Sequence, residues 1–144
     1  MILPDVNVLV YAYRRETPAH ERYTAWLSEL ASGADELALV DSTLTGFLRI
    51  VTSRRIYPDP APTTDALAFV DGLRRARRCR WLASGEAAWT AFAALVTVDR
   101  QVQGNLVPDA WLAALAVAHG CRLATADRGF ARFEGLDWFD PARP

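Results

Sequence analysis

The feature that most constrains the fold is an alternation of short apolar runs and longer helical segments along the 144 residues. The run Leu37–Val40 is apolar throughout and has the length of a strand, which is typical of a strand covered on both faces. Further strand-like runs begin at Ile2, Cys79, Arg122 and Leu136. Strands that alternate with helices predict an α/β fold, in which helices cover both faces of a parallel sheet.

The same patterns predict the bounds of each element. Thr17 and Pro18 are typical of the N-cap and the first position of the second helix, and the spacing of Leu67, Val70 and Leu73 predicts the inner face of the fourth helix. No internal repeat, low-complexity tract or linker divides the chain, so residues 1–144 are predicted to form one domain. The predicted strands are 2–4, 37–40, 79–82, 122–125 and 136–139, and the predicted helices are 7–13, 18–31, 42–53, 64–78, 86–98 and 108–118, with a helical turn at 128–133.

Composition excludes several classes of function. All sixteen basic residues are arginine, and the formal net charge is −1. The lack of lysine excludes P-loop nucleotide hydrolysis and Schiff-base chemistry. Two cysteines are too few for a disulfide scaffold. No apolar run approaches the roughly 20 residues that span a bilayer, and the N-terminus lacks the features of a signal peptide. We therefore expect a soluble, cytoplasmic protein with no membrane partner.

Three aspartates are predicted to meet at one edge of the sheet. Asp5 follows the first strand, Asp127 follows the strand 122–125, and Asp109 lies in the first turn of the apolar helix 108–118. In such folds ligands bind beyond the carboxyl ends of the strands. Carboxylates within about 4–6 Å of each other repel by several kcal/mol per pair at an effective dielectric near 20. Either some of these carboxyls are protonated or a divalent cation compensates their charge.

An oxygen-only site of this kind suits Mg²⁺ or Mn²⁺ rather than zinc. Such an ion lowers the pKa of a bound water and holds a phosphodiester for in-line attack. Each aspartate alone is also a typical helix cap or first-turn residue, and only their shared placement favours a metal site. Asn7 is equally suited to cap the first helix and to contact a metal-bound water. Thr125 could orient a carboxylate or pack in the strand, and packing is the preferred interpretation.

Four segments of the chain carry motif-like sequences: Asp5–Tyr11, Gly46–Thr52, Asn105–Ala116 and Leu123–Phe133. Together they resemble the motifs of PIN-domain ribonucleases, and in particular of the VapC toxins of bacterial toxin–antitoxin pairs. One such motif is weak support. Four in the family's order, spanning nearly the whole chain, are specific.

The resemblance implies a three-layer α/β/α fold with a parallel, five-stranded sheet. It implies a toxin that is a Mg²⁺-dependent endoribonuclease, with Mn²⁺ as an alternative cation, and that hydrolyses RNA through a metal-activated water. Asp5, Asp109 and Asp127 inherit both the catalytic and the metal-binding roles. A homodimer is also implied, as is a small cognate VapB-type antitoxin whose tail crosses the active-site groove.

One position departs from the family pattern. Many PIN domains carry a glutamate where this chain has Gly46, and the nearest substitute is Asp41, for which a turn or cap role is preferred. The departure motivates an alternative, a catalytically weak PIN-fold protein that binds RNA or a partner. A phosphatase with Asp5 as nucleophile is a third possibility, which the missing lysine and the Asp-Val-Asn sequence disfavour.

Arginines are the candidates for holding RNA, since arginine pairs with phosphate and stacks on bases. The densest cluster is Arg74–Arg80, for which a solvated helix end is the preferred interpretation. Arg49 is the better candidate because it lies in a family-like motif. For the five tryptophans, a place in the core or at a dimer interface is preferred to a base-stacking role. The other candidate arginines are Arg14, Arg15, Arg54 and Arg55.

Overall fold

The computed structural model describes residues 1–143, and Pro144, the last residue of the predicted domain, lies outside them. Most elements begin and end within a few residues of their predicted bounds. In chain order they are β1 (Ile2–Pro4), α1 (Val6–Tyr13), α2 (His20–Ser32), β2 (Leu37–Leu39), α3 (Asp41–Val51), α4 (Thr63–Arg74), β3 (Cys79–Trp81), α5 (Glu86–Val98), α6 (Leu106–Ala118), β4 (Arg122–Ala124), a 3₁₀ turn (Arg128–Arg132) and β5 (Trp138–Phe139).

The strands form one parallel sheet in the order β3-β2-β1-β4-β5. Side chains alternate between its faces, so Ile2 packs with helices α1–α4, whereas Leu3 packs with α5 and α6. In β2, Leu37 and Leu39 face the first group of helices and Ala38 faces the second. The predicted three-layer α/β/α fold with a parallel, five-stranded sheet is therefore confirmed.

Two helices differ from their predicted bounds. The Thr17 hydroxyl does not cap α2, and it donates instead to the carbonyl oxygens of Tyr11 (3.2 Å) and Arg14 (2.6 Å) at the end of α1. The N-cap of α2 is instead Ala19, which has a left-handed backbone with φ 59°. The start predicted at Pro18 was therefore wrong by two residues.

Helix α4 ends at Arg74 rather than at the predicted Arg78. The carbonyl oxygen of Arg78 already accepts a hydrogen bond from the Leu37 amide (3.0 Å), so the chain must be extended there to enter the sheet. The inner face of α4 is formed by Ala66, Val70 and Leu73. Leu67, predicted to be buried, is 47% exposed.

Within residues 1–143, no helix has both the length and the apolar character that crossing a bilayer requires.

Candidate active site

The carboxyl ends of β1 and β4 lie side by side and place Asp5 next to Thr125. Pro4 pairs with Ala124, and the Asp5 amide donates to the Ala124 carbonyl oxygen (2.9 Å). Asp5 is also the N-cap of α1, with Oδ1 accepting from the Val6 amide (2.6 Å). One residue therefore both ends a strand and caps a helix, and its carboxylate is fixed at the edge of the sheet.

The second oxygen of Asp5 is held by two side chains. Oδ2 accepts from Asn7 Nδ2 (2.6 Å) and from the Thr125 hydroxyl (2.7 Å). Each carboxylate oxygen has about two lone-pair directions, so these bonds occupy Oδ2 and leave one direction of Oδ1 open to a ligand. Asp5 itself is 8% exposed.

Thr125 and Asn7 organise the centre of the site, and Thr125 has the carboxylate-orienting role that the sequence interpretation ranked second. Thr125 is fully buried, and its hydroxyl, besides donating to Asp5, accepts from Asn7 Nδ2 (3.0 Å) and the Asp127 amide (3.1 Å). Asn7 Oδ1 accepts from the Ala126 amide (3.1 Å). Asn7 thus joins α1 to the segment after β4, and the packing role preferred for Thr125 was incomplete.

Burial dominates the electrostatics of Asp5 and raises its pKa from 3.8 to about 6. The hydrogen bonds from Thr125 and Val6 lower this pKa, while the charges of Asp109 and Asp127 raise it. Asp5 is therefore mostly ionised at neutral pH, but its ionised form is costly in the absence of a compensating cation.

Asp109 and Asp127 lie close enough to Asp5 to perturb its pKa, as their predicted positions required. Asp109 is half-buried in the first turn of α6, and burial, followed by the charge of Asp127, raises its pKa. Asp127 is exposed and caps the 3₁₀ turn, with Oδ1 accepting from the Gly129 amide (2.7 Å). Within residues 1–143, no ion pair involves any of the three aspartates.

The chemistry of this donor set fits a hard divalent cation. The donors are carboxylate oxygens, and the buried Asp5 carboxylate has only neutral hydrogen-bond partners. In the described part of the chain, no three acidic, histidine or cysteine side chains lie close enough to enclose an ion. Mg²⁺ is usually held by one or two carboxylates and completes its shell with water and substrate phosphates. The site fits that mode, and the assignment of all three aspartates as ligands stays a prediction.

Gly46 marks a close approach of α3 to α1. A Cβ built at this position would lie 2.9 Å from Cγ2 of Val6, the residue after Asp5, so a side chain here requires the Val6 side chain to shift. A glutamate can enter this position only with that shift. Asp41, its nearest acidic substitute, is exposed at the first position of α3.

Of the arginines predicted to hold RNA, Arg49 lies away from the carboxyl ends of the strands. Arg49 is eight residues into α3, about 12 Å along the helix from the active edge of the sheet. Arg14 stacks on Tyr57, with its guanidinium carbon 4.0 Å from the ring centre. By contrast Arg128, which the sequence interpretation did not single out, is exposed directly after Asp127. Its position directly after the aspartate of a motif is the sequence feature that could have pointed to Arg128.

Comparison with known proteins agrees with this fold. The model of the PIN domain family matches residues 2–136. VapC ribonuclease Mb2897 of Mycobacterium bovis is 43% identical over 141 residues, covering 98% of this chain and 95% of that protein. Ribonuclease VapC25 of Mycobacterium tuberculosis is 34% identical over 141 residues, covering 98% and 99%.

Solved structures share the fold at lower identity. The VapBC2 complex of Rickettsia felis, bound to a DNA fragment from its promoter, matches with a TM-score of 0.72 and 20% identity, covering 97% of this chain and 98% of that one. FitAcB of Neisseria gonorrhoeae matches with a TM-score of 0.69 and 22% identity, covering 100% of both chains. The motifs, the sheet order and these full-length matches lead to one conclusion: the chain belongs to the PIN-domain family and, within it, to the VapC group.

Proposed function

We propose that this chain is a divalent-metal-dependent endoribonuclease, with Mg²⁺ as its cation, and the toxin of a type II toxin–antitoxin pair. The observation that carries the proposal is the Asp5 carboxylate, which is buried, held by three hydrogen bonds and close to two further carboxylates without a cationic partner. The VapC ribonucleases that match along their full length support the same reaction. Because RNA is the proposed substrate, we also propose a cytoplasmic location.

The chain's own residues orient the site and set its charge. Val6, Asn7 and Thr125 hold both oxygens of Asp5, so that its open lone pair has a fixed direction. Asp109 and Asp127 add negative charge at the same edge of the sheet. We propose these three aspartates as the metal-holding and catalytic residues. A bound divalent cation supplies Lewis acidity toward the phosphate and lowers the pKa of a water.

Cleavage of RNA by the purified chain tests this proposal. We expect turnover with added Mg²⁺ or Mn²⁺, none with EDTA, and a loss of at least about 100-fold in Asp5→Asn, the scale of removing one group that stabilises a transition state. Asp35→Asn is the charge-matched control, since Asp35 is exposed and precedes β2, at the amino ends of the strands and therefore opposite to Asp5. Cleavage that persists in EDTA, or an unchanged rate in Asp5→Asn, contradicts the proposal.

The second candidate is a catalytically weak PIN-fold protein that binds RNA or a partner. The observation that favours it is the tight contact at Gly46, where a glutamate would have to displace the Val6 side chain. RNA binding without turnover in Mg²⁺, Mn²⁺ or any other divalent metal supports this alternative and excludes the nuclease.

For partners, we propose a VapB-type antitoxin. The structural neighbours VapBC2 of Rickettsia felis and VapBC-1 of Haemophilus influenzae are toxin–antitoxin complexes by name. A small gene directly upstream is the candidate source of this partner. Co-expression of its product is expected to relieve growth arrest caused by this chain and to suppress RNA cleavage. Arrest that persists in the presence of stable antitoxin contradicts the pairing.

We also propose a homodimer in which α5 contributes to the interface. The helix is strongly apolar in sequence, yet only Ala88 is buried, and Trp89 and Val98 are 63% and 75% exposed. An apolar helix with so little burial within one chain is typical of an interface. Light scattering on the purified chain is expected to give twice the monomer mass, and Trp89→Glu is expected to reduce it. A monomer at all concentrations contradicts the proposal.

A further inference from the structure

Six residues around the outer strand of the sheet form an exposed basic and aromatic surface, the Arg74–Trp81 patch: Arg74, Arg75, Arg77, Arg78, Arg80 and Trp81. β3 is the last strand of the sheet, so one of its edges carries no neighbouring strand among the described residues. Trp81 is 49% exposed, and the guanidinium carbon of Arg74 lies 5.5 Å from its ring centre. The patch therefore combines cations with an open aromatic face.

Carboxylates compensate only part of this charge. Glu36 pairs with Arg80 (3.0 Å) and Arg78 (3.6 Å), and Asp71 pairs with Arg74 (3.0 Å). Within residues 1–143, neither Arg75 nor Arg77 belongs to an ion pair, and both are exposed. Five guanidinium groups thus face two carboxylates. The surplus lies around the outer strand of a chain whose net charge is −1.

Ordinary structural roles explain only part of the patch. Cations in the last turn of a helix are favourable, which accounts for Arg74 at the end of α4. Charges also protect an edge strand from pairing with other chains. An exposed tryptophan on the same edge has the opposite effect, because it adds an apolar surface where association must be avoided. Arginine together with an open aromatic ring is instead the combination that binds RNA, through phosphate pairing and base stacking.

The patch is separate from the three aspartates. β3 lies two strands from β1, about 10 Å across the sheet, and Arg77 precedes the start of β3, about another 10 Å toward the amino ends of the strands. A five-nucleotide RNA centred at Asp5 has a length of about 17 Å at a stacked spacing of about 3.4 Å, so its ends fall short of Arg77. A folded RNA of tRNA size spans this distance.

We propose that the Arg74–Trp81 patch is a second RNA-binding surface, which holds the body of a structured RNA while a single-stranded segment enters the acidic site. The inference rests on the proposed function for its substrate class. The affinity for large RNAs is then set by residues that lie far from the three aspartates where the RNA is cleaved. The patch therefore discriminates between substrates by their size and fold rather than by the base at the cleaved bond.

Binding of fluorescent RNA by the full chain in EDTA, which prevents turnover, tests the proposal. The probes are a bulk tRNA mixture and a five-nucleotide single strand. The main variant is Arg75→Ala/Arg77→Ala, and the charge-matched control is Arg22→Ala/Arg143→Ala, which also replaces two exposed arginines. Trp81→Ala separates stacking from charge.

Loss of two phosphate contacts lowers the salt slope of log K by about 1.4 if each contact contributes about 0.7. If the variant and the unmodified chain bind tRNA equally at 1 M salt, this change in slope corresponds to an approximately 25-fold weaker Kd for tRNA at 0.1 M salt. At 0.3 M salt the Kd is approximately fivefold weaker. The five-nucleotide probe is expected to bind the unmodified chain and every variant more weakly than tRNA does, because it offers fewer phosphates to contact. Trp81→Ala is expected to weaken tRNA binding about tenfold without changing the salt slope, since base stacking on an aromatic ring contributes independently of phosphate contacts.

Three outcomes overturn the proposal. An unchanged tRNA Kd in Arg75→Ala/Arg77→Ala is one. Equal weakening in the Arg22→Ala/Arg143→Ala control, which indicates a general charge effect, is another. The third is an altered oligomeric mass in Arg75→Ala/Arg77→Ala, which assigns the patch to a protein interface. Failure of the proposed function looks different, because tRNA binding then still depends on the patch while neither probe is cleaved in Mg²⁺.

Discussion

Replacing Asp5 by asparagine is expected to stabilise the metal-free protein at neutral pH while it abolishes activity. The raised pKa means that the folded state binds a proton on Asp5 more tightly than the unfolded chain does. Stability is therefore lost as pH rises between the unfolded pKa of 3.8 and the folded pKa of about 6. At about 1.4 kcal/mol per pKa unit, the ionised carboxylate costs about 3 kcal/mol at pH 7.5 and about 1 kcal/mol at pH 4.5.

Asparagine removes this cost but has only one accepting oxygen in its side chain. One of the hydrogen bonds to the carboxylate, such as the helix cap to the Val6 amide, is lost for about 1 kcal/mol at any pH. The expected gain in free energy of unfolding is thus about 2 kcal/mol at pH 7.5 and close to zero at pH 4.5. Comparing variant with unmodified chain at each pH cancels the contributions of all other titrating groups.

Urea unfolding in EDTA at the two pH values measures this difference. Asp137→Asn is the matched control, because Asp137 is an exposed carboxylate paired with Arg122 (3.0 Å), and we expect its effect to change with pH by less than about 0.5 kcal/mol. Addition of Mg²⁺ at pH 7.5 is expected to stabilise the unmodified chain but not Asp5→Asn. A difference for Asp5→Asn that is the same at both pH values refutes the assignment of an uncompensated buried charge.

Two further substitutions test the packing and hydrogen bonding around the site. Thr125→Val keeps the shape of the side chain but removes its hydroxyl, so we expect a loss of about 1–3 kcal/mol in unfolding free energy and a higher pKa for Asp5, because the Thr125 hydrogen bond lowers that pKa. Carboxyl-carbon NMR titration reads this pKa, and an unchanged value in Thr125→Val excludes the assigned role. Gly46→Ala is expected to cost about 1–3 kcal/mol through contact with Val6. Much of this loss should be recovered in Val6→Ala/Gly46→Ala, and equal stability of the single and double variants contradicts the close approach.

Much of the fold follows from local sequence, because the apolar runs have a clear period and most helix bounds carry ordinary signals. The start of α2 was missed because Thr17 has two possible partners, and its hydroxyl bonds the end of α1 rather than the start of the next helix. The end of α4 was missed because the demand that Arg78 join the sheet is a long-range one. Leu67 fits a helical period, yet no neighbouring element covers its face.

For the site, the sequence predicts three aspartates at the carboxyl ends of the strands. It does not predict the hydrogen bonds that hold Asp5 there. The bond between Thr125 and Asp5 joins residues 120 positions apart, so no local pattern reveals it. The sequence shows that Gly46 stands where many PIN domains carry a glutamate. Its physical reason, the contact with Val6, depends on how two helices pack.

Anomalous diffraction from crystals of the chain grown with saturating Mn²⁺ at pH 7.5 tests the central claim most directly. That claim is that a divalent cation balances the buried charge of Asp5. We expect one strong peak in direct contact with the open side of Asp5 Oδ1 and within reach of Asp109, and no peak in Asp5→Asn. A site without a peak at saturating Mn²⁺, or a peak that persists in Asp5→Asn, contradicts the account.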